Sequence, residues 1–215
     1  MFEERKINPE LLKQYRGYWN KETLLDCRER AAAQYPDREY VVDDRGYRYT
    51  YRELDEAAGR VASYLMELGI RPGEVVSYQF PIWSEFAMLT IACYKVGAVA
   101  HTIAMSYEEK ELARSLNITE SRCYFGPTFF YKTDYEERIL AVRDQVPLLK
   151  DIVLIDSVKE RKSDVALLRE ILTSYGPLPK ERCVHTKNGQ DIAVILCTSG
   201  TTGGTKGVLL THDNV

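Results

Sequence analysis

Short apolar runs alternate with amphipathic segments along most of this chain, and that alternation restricts its possible folds more than any other feature. Apolar residues recur at helical spacing in the amphipathic segments, whereas the short runs have the length and composition of buried strands. Parallel strands are joined by right-handed crossovers whose helices cover the sheet. The pattern therefore predicts an α/β fold with a mostly parallel sheet and helices on both faces, and it leaves the strand order open.

The positions of the expected elements follow from the same pattern. Strands are expected at residues 38–43, 47–50, 74–80, 98–103, 122–125, 151–155 and 191–197. Helices are expected at 11–19, 22–34, 84–96, 106–116, 133–146 and 163–172, with a further helix from the cap Thr50 to Leu68. The tripeptide Asp44-Arg45-Gly46 between the first two strands is typical of a hairpin turn.

Several helix ends carry their own signals. In a capping box, a Ser or Thr side chain accepts from the amide three residues on, where a Glu reaches back. This spacing predicts three capped helix starts: Thr50 with Glu53, Ser106 with Glu109, and Thr133 with Glu136. Gly69 suits the left-handed conformation that ends many helices.

The chain is expected to have three consecutive parts. They are an N-terminal α/β subdomain over 1–172, a connecting segment over 173–190, and a strand–loop–strand segment over 191–215. Gly176, Pro177, Pro179 and Gly189 mark the connecting segment, since Gly and Pro interrupt regular structure.

Composition excludes several classes of function. The 215 residues carry a formal net charge of -3, which gives no reason to expect nucleic acid or an anionic membrane as partner. Met1 to Asn20 is polar and lacks a signal-peptide pattern, and no apolar stretch reaches the roughly 20 residues of a membrane helix. The five cysteines form no CxxC pair and only three histidines are present, so zinc spacing is absent. A cytoplasmic protein with reduced thiols is expected.

A loop rich in glycine and threonine follows the last apolar strand. Its sequence from Thr198 to Gly207 is TSGTTGGTKG. Glycines let backbone amides turn inward, and successive inward amides form a concavity that binds anions. Hydroxyl groups add donors, and Lys206 adds a mobile positive charge, so the loop suits a polyphosphate. The candidate ligand-binding residues are Thr198, Ser199, Gly200, Thr201, Thr202, Gly203, Gly204 and Lys206.

This loop is not a Walker loop. That motif has Gly directly before Lys and a helix directly after it, whereas here Thr205 precedes Lys206 and an apolar run from Gly207 to Leu210 predicts a second strand. The loop is therefore expected to join two strands. A flexible hairpin with a solvated lysine is the plainer interpretation, but the order of Ser, Gly, Thr, Thr, Gly, Lys and Gly after a buried strand favours a phosphate site.

Other residues carry weaker signals. His212 follows the second strand and could be functional, or could lie at the mouth of a helix that starts at Thr211, Asp213 or Asn214. His101 is expected to be structural, since it lies in a buried strand pattern. Cys197 has no basic neighbour in sequence and is expected to be a packed thiol.

Four apolar residues allow two interpretations. They could line an acyl pocket, but residues of this kind more often belong to the core: Trp83, Phe86, Met88 and Leu89.

The segment TSGTTGGTKGV followed by LLTHDNV resembles the phosphate-loop signature of the adenylate-forming superfamily, which includes acyl-CoA synthetases, luciferases and peptide-synthetase adenylation domains. Upstream, YTYRELDEAAGRVASYLMELGIRPGEVVSYQFPIWSEF and ACYKVGAVAHTI are also similar to that family, so nearly the whole chain is covered. Residues 75–135 resemble short- and medium-chain acyl-CoA synthetases, including cyclohexanecarboxylate ligases. The family usually has proline where Thr205 stands, and threonine restores a backbone donor.

The resemblance implies an ATP- and Mg²⁺-dependent ligase of fatty-acid metabolism. A carboxylate attacks the α-phosphorus of ATP, and a thiol, commonly that of coenzyme A, then takes the acyl group. Thr201, Thr202 and Lys206 would hold the β- and γ-phosphates, and Thr198 matches a position that can contact Mg²⁺. The resemblance also implies that the chain is the incomplete N-terminal part of the large domain, with the ribose-binding aspartate and the catalytic lysine farther along. The 215 residues alone are then expected to be inactive and to self-associate.

Two alternatives stay open at this point. One is an adenylation enzyme that loads the thiol of a carrier protein, as peptide-synthetase and aryl-acid adenylation domains do. The other is a non-catalytic module that binds nucleotide or a partner.

Overall fold

The computed structural model describes residues 22–156, 163–184, 188–199 and 205–215, together with Glu10. The expected helix at 11–19 lies outside these residues. Six α-helices are described: α1 (Leu24–Gln34), α2 (Tyr51–Glu67), α3 (Ser84–Val96), α4 (Glu109–Ile118), α5 (Tyr135–Val142) and α6 (Leu168–Ser174). The strands are β1 (Glu39–Val42), β2 (Arg48–Thr50), β3 (Val75–Tyr78), β4 (Val99–Thr102), β5 (Cys123–Pro127), β6 (Phe129–Phe130), β7 (Thr133–Asp134), β8 (Asp151–Ile155), β9 (Ala166–Leu167), β10 (Ile192–Ser199) and β11 (Thr205–Thr211).

A seven-stranded sheet forms the centre of the molecule, in the order β11-β10-β4-β3-β5-β8-β9. All neighbouring strands in it are parallel except β10 and β11, which form an antiparallel pair. The expected mostly parallel sheet is confirmed. The strand order, which the sequence left open, brings the late strand β10 next to the early strand β4.

Helices cover both faces of this sheet, as the alternation predicts. Consecutive side chains of a strand point to opposite faces. Accordingly, Phe125 of β5 packs in the core with α2, α3 and α6, while its neighbour Tyr124 packs with α4 and α5. Val153 and Ile152 of β8 divide between the two cores in the same way. Among the described residues, no helix is long and apolar enough to cross a membrane.

Local signals placed some helices correctly. The Thr50 hydroxyl accepts from the Glu53 amide, and the Glu53 carboxylate accepts from the Thr50 amide, so the first capping box is confirmed. After α2, Gly69 has a φ of +74°, the left-handed conformation that was predicted. The first two strands pair as the expected hairpin around Asp44–Gly46.

Two of the predicted caps are wrong. The helix α4 begins at Glu109, and its cap position is Glu108 without a side-chain cap bond, so Ser106 and Glu109 form no capping box. The helix α5 is capped by Asp134, whose carboxylate accepts from the Glu137 amide. Thr133 pairs with Phe130 in the small β6–β7 hairpin, and this pairing moves the helix start one residue on.

Helix boundaries near residues 142–172 also differ from the prediction. Helix α5 ends at Val142 and continues as a single 3₁₀ turn to Gln145. The expected helix at 163–172 is divided, because Ala166 and Leu167 pair with β8 as the edge strand β9 before α6 begins. A tertiary contact, the free edge of β8, therefore overrides the helical pattern of this segment.

The segment after α6 packs against the helices of one face. The Leu178 amide donates to the Gly59 carbonyl of α2 at 3.0 Å, and the Val184 amide donates to the Lys95 carbonyl of α3 at 2.8 Å. A Cβ atom on Gly59 would lie 3.1 Å from the Leu178 nitrogen, so only glycine gives this approach without a shift. Leu178 and Cys183 are buried there.

Candidate functional site

The glycine-rich loop leaves the central sheet at the end of β10. The strand β10 runs parallel to β4, so its last residues lie at the same edge of the sheet as the carboxyl ends of β3, β4 and β5. In open α/β sheets, ligands bind outside the carboxyl ends of the strands. The topology therefore brings the candidate loop to the edge where such folds bind small molecules.

The two strands that flank the loop form one antiparallel hairpin. Thr198 pairs with Lys206, and Ser199 pairs with Thr205. The prediction that the loop joins two strands, with no helix directly after it, is confirmed. The backbone of Thr198, Ser199 and Lys206 thus lies at the end of the hairpin, and their side chains lie outside the described part of the structure. Also outside it are Gly200, Thr201, Thr202, Gly203 and Gly204.

The end of this hairpin extends beyond the parallel part of the sheet. Pairing between β10 and β4 runs from Val194 with Ala100 to Leu196 with Thr102, whereas pairing between β10 and β11 continues to Ser199. In the described residues, the three last positions of β10 therefore have a strand partner on one side only.

A buried imidazole contacts the strand just before the loop. His101 of β4 is fully buried, and its Nε2 lies 3.2 Å from the Cys197 Sγ. The sequence offered no basic neighbour for Cys197, because this pair is separated by 96 positions along the chain. Its thiol is partly buried, as expected of a packed cysteine, but it packs against a polar partner that sequence reasoning missed.

Other polar groups complete the surroundings of His101. Its Nδ1 lies 2.7 Å from the Ser77 hydroxyl of β3, and its Nε2 lies 3.2 Å from the Ser115 hydroxyl of α4. Burial lowers the pKa of His101 to about 4 from its usual 6.5. The ring is therefore neutral near pH 7, and the structural role expected for His101 is confirmed. The only sequence signal was a pair of polar residues, Ser77 and His101, inside apolar strand patterns.

His212 has a structural contact at the other end of β11. It begins a 3₁₀ turn (His212–Asn214), and its Nδ1 accepts from the Leu24 amide at 3.3 Å. Its ring lies edge-on to Tyr94 of α3, with 5.4 Å between ring centroids. Of the two interpretations left open, the structure supports a residue at the mouth of a helical turn that fastens the hairpin to α1 and α3.

The residues weighed as an acyl pocket belong to the core. Trp83, Met88 and Leu89 are buried in the cluster between α2, α3 and the sheet, and Phe86 packs against it. The guanidinium of Arg45 lies 3.9 Å from the centre of the Trp83 ring. The core interpretation of these four residues is confirmed.

Comparison with known proteins assigns the chain to a family. The family model described as "AMP-binding enzyme" matches residues 28–215. The medium-chain fatty-acid–CoA ligase of Escherichia coli (strain K12) is 36% identical over 93% of this chain and 34% of its own length. The 2,3-dihydroxybenzoate-AMP ligase of Bacillus subtilis (strain 168) is 28% identical over 95% of this chain and 36% of its own length. The chain thus spans about a third of these curated relatives.

A solved structure has the same fold. The apo structure of MbtA from Mycobacterium smegmatis aligns with a TM-score of 0.80 and 25% identity, over 97% of this chain and 37% of that one. The mixed α/β architecture, with its mostly parallel central sheet, is that of the N-terminal domain of adenylate-forming enzymes.

The buried imidazole generates a prediction about pH. Between pH 6.5 and 4 the unfolded chain binds a proton at His101 that the folded chain does not, so the free energy of unfolding should fall as the pH falls through this window. The full effect is on the order of 3 kcal/mol. Urea unfolding at several pH values between 7 and 4 gives the free energy of unfolding at each pH, and this free energy should depend less steeply on pH for His101→Asn than for the wild type. Substitution of the less buried His212 by Asn should change this pH dependence less. Equal pH dependence for His101→Asn and the wild type would contradict the assignment.

Proposed function

The chain belongs to the AMP-binding enzyme family, and on that basis we propose that it forms the ATP-binding part of a carboxylate–CoA ligase. The observation that carries the proposal is the TSGTTGGTKG loop between two antiparallel strands at the carboxyl edge of a parallel sheet. Coenzyme A is preferred as the thiol because the relative with 36% identity is a CoA ligase.

The proposed reaction has two steps. A carboxylate oxygen attacks the α-phosphorus of ATP and pyrophosphate leaves, which gives an acyl-adenylate. The thiol of coenzyme A then attacks the acyl carbon, and AMP leaves as the thioester forms. Positioning and electrostatic stabilisation supply most of the catalysis in phosphoryl-type chemistry of this kind.

The residues of the loop would act on the first step. Backbone amides of residues 200–204, with the hydroxyls of Ser199, Thr201 and Thr202, would hold the β- and γ-phosphates. Lys206 would balance the negative charge that builds on the leaving pyrophosphate. The hydroxyl of Thr198 is a hard oxygen donor of the kind Mg²⁺ accepts, and the bound ion would neutralise phosphate charge. Thr205, at the position where the family that the chain resembles usually has proline, keeps a backbone N–H at the start of β11.

A second candidate differs only in the acceptor. An adenylation enzyme that loads a carrier-protein thiol would use the same loop and the same first step. The similarity to an enzyme named as a salicyl-AMP ligase / salicyl-S-ArCP synthetase favours this alternative. The acceptor decides between them: thioester formation with free coenzyme A supports the ligase, and formation only on a carrier protein supports the alternative.

The role of Lys206 predicts the result of a binding experiment. Lys206→Ala should weaken Mg·ATP binding about 10- to 100-fold, since a charge-assisted hydrogen bond contributes about 1.5–3 kcal/mol. Lys206→Arg should retain most of the affinity. Lys150→Ala removes an exposed lysine that directly precedes the amino end of β8, whereas the loop lies beyond the carboxyl end of β10. This variant should bind Mg·ATP as the wild type does. Equilibrium dialysis with labelled ATP measures all four proteins. Equal affinity of Lys206→Ala and wild type would refute the role of the lysine.

The proposed function also predicts the activity of the 215-residue chain when it is tested by itself. Because the matched relatives are about three times as long, we expect the 215 residues alone to bind ATP without completing adenylation. ATP–pyrophosphate exchange with a panel of carboxylates should then stay at background. Robust exchange from the 215-residue chain would overturn this expectation.

The edge strand predicts self-association of the 215-residue chain. In the described residues, β11 pairs only with β10, and unpaired edges invite pairing with another chain. Leu196 and Val208 face each other across this hairpin and are 39% and 42% exposed. Light scattering should show a mass that rises with protein concentration, and Val208→Lys should reduce it. The control Val42→Lys changes an equally exposed valine outside the central sheet. A monomeric wild type at all concentrations would contradict the prediction.

A further inference from the structure

A buried polar cluster lies between the central sheet and α4. Its members come from β3, β4, β10, α4 and the turn after α4: Ser77, His101, Cys197, Ser115, Thr119 and Ser121. All of them except Cys197 are fully buried. Cys197 is the member of this cluster that belongs to the hairpin carrying the candidate phosphate loop.

The imidazole of His101 is fixed from both sides. A neutral imidazole has one N–H and one lone pair, so whichever nitrogen carries the hydrogen, one side of the ring bonds Ser77 and the other faces Cys197 and Ser115. Ser77 is itself held by the Ser121 hydroxyl at 2.7 Å. The ring therefore cannot turn without breaking a buried hydrogen bond, which costs about 1–3 kcal/mol.

The thiol of Cys197 is held by two different elements. Its Sγ lies 3.2 Å from the His101 Nε2 of β4 and 3.3 Å from the Ser115 hydroxyl of α4. Cys197 is also the first residue of β10 beyond the parallel pairing with β4, which ends at Leu196. In the described residues, the Cys197 side chain thus connects the hairpin to β4 and α4 just beyond the point where the parallel pairing ends.

We propose that His101 is a positioning residue for the nucleotide, which acts through Cys197 to hold the end of β10 where the phosphate loop departs. This inference rests on the proposed function of the loop. A strand end that is paired on one side only has more conformational freedom before binding than one paired on both sides, so it loses more conformational entropy when a ligand binds. A link through Cys197 restricts the end of β10 before the nucleotide binds. Loss of this link therefore weakens nucleotide binding although no contact with the nucleotide is removed.

The plainer role for the cluster is that of satisfied polar groups in the core. Removing one group would then destabilise the whole protein and leave the loop no more affected than any other part. A matched control must therefore remove an equally buried hydrogen bond on the other face of the sheet. Tyr78→Phe does this, because the Tyr78 hydroxyl bonds the Thr90 hydroxyl at 2.7 Å in the core between α3 and the sheet.

The first experiment measures hydrogen exchange of the hairpin amides in the free protein. Cys197→Ala should speed exchange at Ser199 and Thr205 about fivefold relative to wild type, which corresponds to the loss of one ordinary hydrogen bond. Cys197→Ser keeps a donor and acceptor and should restore slow exchange. Tyr78→Phe should leave the ratio of exchange rates between these amides and the amides of β8 unchanged. Unchanged exchange in Cys197→Ala would overturn the inference whether or not the protein binds ATP.

The second experiment measures Mg·ATP affinity of the same proteins. Cys197→Ala and His101→Asn should each bind about fivefold more weakly, and the double variant no more weakly than either, because both remove one link. Cys197→Ser and Tyr78→Phe should bind as wild type does. If Tyr78→Phe weakens binding as much as Cys197→Ala, the cluster is merely structural and the inference fails. If the wild type itself does not bind Mg·ATP, the proposed function fails and nucleotide positioning with it, while the exchange data still decide whether Cys197 restrains the hairpin.

Discussion

Parallel pairing of β10 with β4 is the contact on which the candidate site depends. It joins β10 to a strand about a hundred residues earlier in the sequence, and it directs the carboxyl end of β10 to the edge at which open α/β sheets generally bind ligands. In the part of the chain that the structure describes, three residue pairs make this contact, from Val194 with Ala100 to Leu196 with Thr102. Side chains on both faces support it: Ala193 and Val194 pack with α2 and α3, and Ile195 packs with Val75 and Val99.

In the proposed function, the phosphate loop departs from the end of the β10–β11 hairpin. There the Cys197 thiol contacts His101, and antiparallel pairing to Ser199 keeps the two flanking strands in register. No helix follows the loop directly, in contrast to a Walker loop, whose Lys lies at the start of a helix. At its other end the hairpin is fastened through His212 to the start of α1. The two imidazoles thus contact opposite ends of the same hairpin.

Local signals in the sequence predict the ends of helix α2 correctly. The Thr50–Glu53 box and the left-handed Gly69 define α2 because their hydrogen bonds join residues three or four apart. A tertiary contact overrides the local pattern in two places. The pattern predicts a helix cap at Thr133, but Thr133 pairs in a small hairpin, and Ala166 and Leu167 fit a helical pattern but pair with β8. In both places a strand partner pairs with backbone groups that the predicted helix would have used.

The amino-acid sequence by itself determined the α/β class, the strand–loop–strand unit and the residue types of the candidate loop, because glycine, hydroxyl and lysine chemistry at fixed spacing needs no distant partner. It also carried the family resemblance that the comparisons bore out. Tertiary structure alone decided the strand order, the edge at which the loop lies, and the pairing of Cys197 with His101. These depend on which distant segments exclude water from each other, and hydrophobic burial is non-directional, so residue periodicity marks the faces that will be buried without marking their partners.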